Sequence, residues 1–79
     1  MIMARLPTMS ARVMISFLES LDFEFVRQRG SHKFFRHPDG RTATVPDHKG
    51  EDLGRGIVSK ILSDIEVSRT EFVEWLKKH

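Results

Sequence analysis

The chain is expected to fold as an α+β domain in the order α-β-β-β-α(-α), with its helices on one face of a three-stranded antiparallel sheet. Three observations predict this. Val13, Met14, Phe17, Leu18 and Leu21 recur at helical spacing before residue 22, and Ile57, Val58, Ile61, Leu62 and Ile65 do so after residue 56. Between these stripes lie three short segments that suit strands, Glu24 to Arg29, His32 to His37 and Arg41 to Val45. Turn residues separate those segments, above all Pro38-Asp39-Gly40, where proline presets its backbone angle and glycine accepts positive φ. The expected product is a two-layer sandwich whose second sheet face is open.

Taken in order, Met1 to Met9 reads as a lead-in, because Pro7 discourages a helix beginning before it. Met1, Met3 and Met9 read as N-terminal slack, and Met14 as helix packing. Ser10 is placed to cap the first helix, which should stop near Asp22. Pro46 ends the third strand. Asp47 to Gly56 is a polar loop with glycines at 50, 54 and 56. Ser68-Arg69-Thr70-Glu71 fits a capping box, and Phe72, Trp75 and Leu76 then mark a short third helix. No repeat, low-complexity tract or linker divides residues 1–79, so a single domain is expected.

At 79 residues the core is small, and without cysteine neither a disulfide nor a thiolate zinc site reinforces it. A deep pocket for a small molecule is not expected, and an open surface meeting a polymer is. From Arg27 to Lys60 there are eight Lys/Arg against four Asp/Glu, whereas the rest has five against seven. The positive excess therefore lies in the sheet region, the electrostatic footprint of a nucleic-acid contact. No apolar run suits a membrane span or a secretory signal, and a cytoplasmic location is the default expectation.

Gly30-Ser31-His32 lies within this basic stretch. In a regular strand His32, Phe34 and Arg36 share one face, and Lys33, Phe35 and His37 the other. With His32 outward, Phe35 becomes a core residue and Phe34 either a stacking platform for a base or a core residue. A bulge at Gly30 would shift the faces of the residues before it. The histidines lack metal-ligand spacing, so neither a metal site nor a cofactor is expected. His37 reads as a turn or surface residue, His79 as solvated, Glu51-Asp52 as a loop or helix-start feature and Trp75 as a core anchor.

One ordered set of motifs is similar to a known family. Gly30-Ser31-His32, His37-Pro38-Asp39-Gly40-Arg41, Val45-Pro46-Asp47-His48 and the segment Gly56 to Leu62 together resemble HicA toxins, the small mRNA interferases of type II toxin–antitoxin systems. The resemblance runs from about Ser10 to Phe72. It implies a fold like a double-stranded-RNA-binding domain, RNA cleavage resting on His32, and a HicB antitoxin that neutralises the toxin by covering that histidine. Three positions depart from the family pattern. Asp22 and Glu66 stand where a glycine often follows each main helix, and Lys33 stands where many members have a second histidine or an apolar residue. Positive φ costs Asp little and a longer side chain more, so the second helix is expected to end differently here.

The residue chemistry suits that implied activity. RNA carries its own nucleophile, the 2′-hydroxyl, which DNA lacks. Imidazole takes and gives protons near neutral pH, so His32 is the candidate general acid/base, with no metal required. Gly30 permits close backbone approach, and Ser31 offers a hydroxyl to phosphate oxygens. Arg27, Arg29, Lys33, Arg36, Arg41 and Lys49 are the candidate RNA-binding cations. His48, beside Lys49, is a candidate second acid or base. Two other readings compete with the nuclease: a non-catalytic RNA-binding module of the same fold, and an interaction protein whose basic sheet docks an acidic partner.

Overall fold

The structure is a computed structural model that describes residues 6–79. Its elements are α1 (Ala11–Ser20), β1 (Glu24–Arg29), β2 (His32–Arg36), β3 (Thr42–Pro46), α2 (Arg55–Asp64) and α3 (Arg69–Lys78). The strands form one antiparallel sheet in the order β1-β2-β3. The fold is the expected α+β arrangement, like a double-stranded-RNA-binding domain with one added helix. Among the described residues, no helix is long and apolar enough to cross a membrane.

The apolar stripes build the core. Met14, Phe17 and Leu18 of α1 and Val58, Ile61 and Leu62 of α2 are buried with Phe35, Ala43 and Val45 of the sheet. The open face carries exposed His32, Arg36 and Thr42. α3 closes the far side of α1, where the Phe17 ring meets Phe72 at 4.7 Å and Trp75 at 5.1 Å, both edge-on. Trp75 is thus the anchor its spacing suggested.

Local signals set the boundaries. Ser10 Oγ accepts the Val13 N–H at 3.3 Å and Ser68 Oγ the Glu71 N–H at 3.1 Å, so both serines cap their helices. Both main helices end in the same way, with the Asp22 and Phe23 N–H groups bonded to Glu19 and Leu18 carbonyls, and the Glu66 and Val67 N–H groups to Ser63 and Leu62 carbonyls. This is a Schellman motif in each case. It sets Asp22 at φ 71° and Glu66 at φ 59°. The expectation of a different ending for the second helix is corrected: the 6→1 and 5→2 bonds hold Glu66 in the left-handed region despite its side chain.

Four further expectations change. The lead-in reading of Met1 to Met9 lies outside the described residues for 1–5, including Met1 and Met3. Leu6 and Met9, however, are buried, Leu53 N–H donates to the Met9 carbonyl at 2.6 Å, and Arg55 Nε donates to the Leu6 carbonyl at 2.8 Å. Met9 is therefore docked, not slack. α2 starts at Arg55, ahead of its first apolar residue, with Gly54 as an N-cap that makes no side-chain bond. β2 stops at Arg36 because His37 belongs to the turn, where its carbonyl accepts the Gly40 N–H at 2.9 Å. β3 runs to Pro46, which still pairs with His32.

The β2–β3 turn is tied to α2 by one side chain. Arg41 donates from its backbone N–H to Asp39 Oδ1 (2.9 Å) and from Nε to Oδ2 (2.7 Å), and its Nη1 donates to the Ile65 carbonyl. The guanidinium also lies 5.3 Å from the Phe23 ring centre. Arg41 thus satisfies a carbonyl at the end of α2 while bracing the hairpin. The hydrogen bond from its backbone N–H, followed by that from its side chain and its charge, holds the Asp39 carboxyl below the ordinary carboxylate range.

Two expectations follow. A left-handed conformation costs a non-glycine residue about 1–2 kcal/mol, against about 0.4–1 kcal/mol for the looser unfolded chain that glycine brings. Glu66→Gly should therefore raise the melting temperature by about 3–6 °C, and Asp22→Gly by less; a lower melting temperature for Glu66→Gly in calorimetry would refute this. Second, because the Asp39 value is depressed on folding, its contribution is complete above the unfolded carboxylate range and is lost as the pH falls through the folded value. Asp39→Asn should be less stable than wild type at pH 7, and the gap should close in acid, as read by urea unfolding across pH.

Candidate functional site

The open face is organised in three cross-strand rows. Arg29 pairs with His32, and His32 with Pro46. Next come Arg27, Phe34 and Thr44, and then Glu24, Arg36 and Thr42. Residues paired across an antiparallel sheet share a face, so both arginines lie on the side of His32. A regular six-residue β1 would forbid this, since Phe25 pairs with Phe35 on the core side and Arg27 and Arg29 have the same parity as Phe25. The register shifts between Phe25 and Arg27, with Val26 as the extra residue. The bulge thus lies at Val26, not at Gly30.

Gly30 has another task. Gly30 and Ser31 form a two-residue hairpin between β1 and β2, with positive φ (59°) at the first position only, as in a type II′ turn. Gln28 Nε2 donates to the Gly30 carbonyl at 2.8 Å. The turn delivers His32 to the first position of β2, exposed at one end of the sheet.

The loop after β3 folds back against this hairpin. Asp47 N–H donates to the Ser31 carbonyl at 2.7 Å, and the Asp47 carboxylate accepts from Lys33 Nζ at 2.7 Å. The Glu51 N–H donates to the His48 carbonyl at 3.0 Å, closing a turn in which Gly50 has φ 80°. Ser31 Oγ and His48 Nε2 are hydrogen-bonded at 3.2 Å. The His32 and His48 rings then face each other at 78°, with centres 6.5 Å apart. Both line a shallow groove of about 380 Å³ together with Pro46, Glu51, Asp52, Leu53 and Ile57.

The sequence-derived site residues divide accordingly. His32, Arg27, Arg29 and Arg36 share the open face, with Arg36 about 13 Å along the strand from His32. Gly30 and Ser31 form the turn beside them. Lys49 is exposed in the loop and lines a neighbouring groove with His48 and Arg12. Lys33 and Arg41 are not brought to His32. Lys33 pairs with Val45 on the opposite face and holds Asp47, while Arg41 braces the far hairpin. Phe34 lies on the open face rather than in the core, with the Arg27 guanidinium 4.8 Å from its ring centre. His37 is a turn residue, its Nδ1 accepting the Asp39 N–H at 3.0 Å.

Sequence reading missed the groove itself. Ile57 belongs to the α2 apolar stripe by spacing, yet it is 40% exposed and lines the groove beside His32. No local signal marks it. Among the described residues, no three His, Asp or Glu side chains converge as metal ligands.

Comparison with known proteins adds one finding. Residues 11–67 match a family model described as HicA toxin of bacterial toxin-antitoxin. The matched span runs from α1 through α2 and includes the hairpin, the open face and the His48 loop, while α3 lies beyond it. A search of curated proteins found no match.

Proposed function

Because the chain belongs to the HicA toxin family of bacterial toxin–antitoxin systems, we propose that it is a toxin that cleaves mRNA with His32 as the general acid/base. The observation that carries this reading is the open-face row in which His32 stands beside Arg29, one row from Arg27 and Phe34.

The arrangement suits cleavage of a flexible polymer. The face is shallow and solvent-exposed, so a single strand has access to it where a deep pocket would admit only a small molecule. Arg27 and Arg29 hold phosphates and offset the charge that develops on the reacting one. His32 removes the 2′-hydroxyl proton, and the 2′ oxygen forms a bond to the adjacent phosphorus. The bond from phosphorus to the 5′ oxygen breaks, leaving a 2′,3′-cyclic phosphate and a 5′-hydroxyl end. The requirement for a 2′-hydroxyl restricts the reaction to RNA. Gly30, Ser31, Arg36 and Lys49 extend the contact along the strand on either side.

A toxin of such a system has a cognate antitoxin. A HicB-like protein lying over the open face would block His32 and both arginines at once, since all three project from the same side of the sheet.

The decisive experiment is incubation of the purified chain with single-stranded RNA in excess EDTA. Cleavage is expected, and His32→Ala should lose about 10²–10⁴-fold in rate while still binding RNA. Tight binding without cleavage by the wild type would overturn the nuclease reading in favour of an RNA-binding module. Expression without an antitoxin should arrest growth for the wild type and not for His32→Ala.

The salt dependence of binding separates contacting cations from structural ones. Arg27→Gln and Arg29→Gln should each reduce the log–log salt slope by about 0.7, the value for one phosphate on a single strand. Lys33→Gln and Arg41→Gln should leave the slope unchanged and lower the melting temperature. The reverse pattern would place the RNA on the helix side of the sheet.

A further inference from the structure

Breaking the bond to the 5′ oxygen leaves an alkoxide that needs a proton. Arg27 and Arg29 are poor donors for this, because a guanidinium keeps its proton throughout the working pH range. The group that faces His32 comes from outside the sheet. His48 Nε2 is held at 3.2 Å by Ser31 Oγ, one residue before His32, and the two imidazole centres are 6.5 Å apart across a common groove. The gap between the rings is too narrow for a phosphodiester to sit directly between them, so the pair would serve one phosphorus from the groove side, each imidazole through a hydrogen bond of about 2.8 Å.

The placement of His48 does not depend on one contact. Asp47, its neighbour, is fixed by its N–H on the Ser31 carbonyl and by its carboxylate on Lys33, and the turn to Glu51 closes behind it. The Ser31 backbone and side chain therefore both hold the loop, and they do so from the hairpin that carries His32. The two rings are mounted on one piece of structure, as a pair that must act on opposite sides of one phosphorus requires. The charged groups lining the groove that His48 shares with His32 are Glu51 and Asp52, while Lys49 and Arg12, with Asp47, line the neighbouring groove on the other side of His48.

We propose that His48 is the general acid of the cleavage, protonating the departing 5′ oxygen, and that Ser31 is the positioning residue that aims its ring. The inference rests on the RNA-cleaving reading given above. In the balanced step, His32 gains the 2′ proton as the bond from the 2′ oxygen to phosphorus forms. His48 gives its proton to the 5′ oxygen as the bond from that oxygen to phosphorus breaks. The net proton count on the protein is unchanged. Solvent then returns His32 to its neutral form and His48 to its protonated one.

A substrate whose leaving group needs no proton isolates this role. In RNA with sulfur replacing the bridging 5′ oxygen at a cleavage site, the thiolate departs unprotonated. On ordinary RNA His48→Ala should lose about 10²–10⁴-fold in rate, and on the sulfur-bridged substrate it should fall within about tenfold of wild type. His32→Ala should be impaired on both. Ser31→Ala should show a smaller loss with the same recovery on sulfur, and Ser31→Thr, which keeps the hydroxyl, should restore cleavage of ordinary RNA. His48 is exposed in a loop, so circular dichroism should show His48→Ala folded. Wild-type rates from His48→Ala on ordinary RNA, or equal losses on both substrates, would overturn the proposal while leaving His32 in place. Absence of cleavage by the wild type would remove the nuclease reading and this inference with it.

Discussion

A strand with a side-chain period of two cannot place Phe25, Arg27 and Arg29 on different faces unless the period is broken. The extra residue at Val26 breaks it, and the open face depends on that break. Phe25 stays on the core side, where its ring meets Phe35 edge-on at 5.8 Å, while both arginines turn to the side of His32. Without the bulge, one set would be misplaced. Either the arginines would lie under the sheet, away from His32, or Phe25 would lose its aromatic neighbour. A bulge costs ladder hydrogen bonds, and β1 is suited to bear that cost because it is an edge strand with every residue exposed.

The second end of the site is organised by a cation that does not face it. Lys33 reaches from the helix side of β2 to Asp47, and half-buried ion pairs of this kind are individually weak, about 1 kcal/mol or less. Its value lies in position. Asp47 is the first residue after β3, and fixing it determines where His48 begins. The Asp47 N–H on the Ser31 carbonyl extends the ladder one step past Pro46, so the loop leaves the sheet in a defined direction. Position 33, where a second histidine would have adjoined the first, is thus occupied by a residue that brings a histidine in from the loop.

Much of this was legible in the sequence because the signals are local. Ser10 and Ser68 cap helices three residues before the N–H groups they satisfy, and Pro38-Asp39-Gly40 turns where it stands. Asp22 and Glu66 stood out by position, and both adopt positive φ. What escaped depends on partners far along the chain. Val26 gives no sign of a bulge, because an edge strand exposed on both faces has no apolar alternation to interrupt. The docking of Met9 on Leu53 joins residues 44 positions apart. Arg41 and Lys33 looked like surface cations because charge alone does not show whether Asp39 and Asp47 already hold them. The pairing of His48 with Ser31 spans 17 positions and a loop, beyond any periodicity.

These internal pairings also change the electrostatics of the face. Counted along the chain, residues 27–60 are strongly basic, but three of their cations, Lys33, Arg41 and Lys60, are held by Asp47, Asp39 and Asp64. On the open face Arg29 is in the row of His32 and Arg27 in the next, while Arg36 lies two rows away beside Glu24. On the proposed reading, an RNA strand lying there would meet two arginines and an imidazole near its reacting phosphate rather than a broad positive field. Each phosphate contact on a single strand contributes a small, salt-sensitive increment, so two or three give weak non-specific binding. Weak ground-state binding suits a catalyst, because attraction felt equally by substrate and transition state does not lower the barrier between them. On the proposed RNA-cleaving reading it would also suit neutralisation: a protein covering a small, shallow face would have little bound RNA to displace, and it would exclude substrate from His32 without having to fill a pocket.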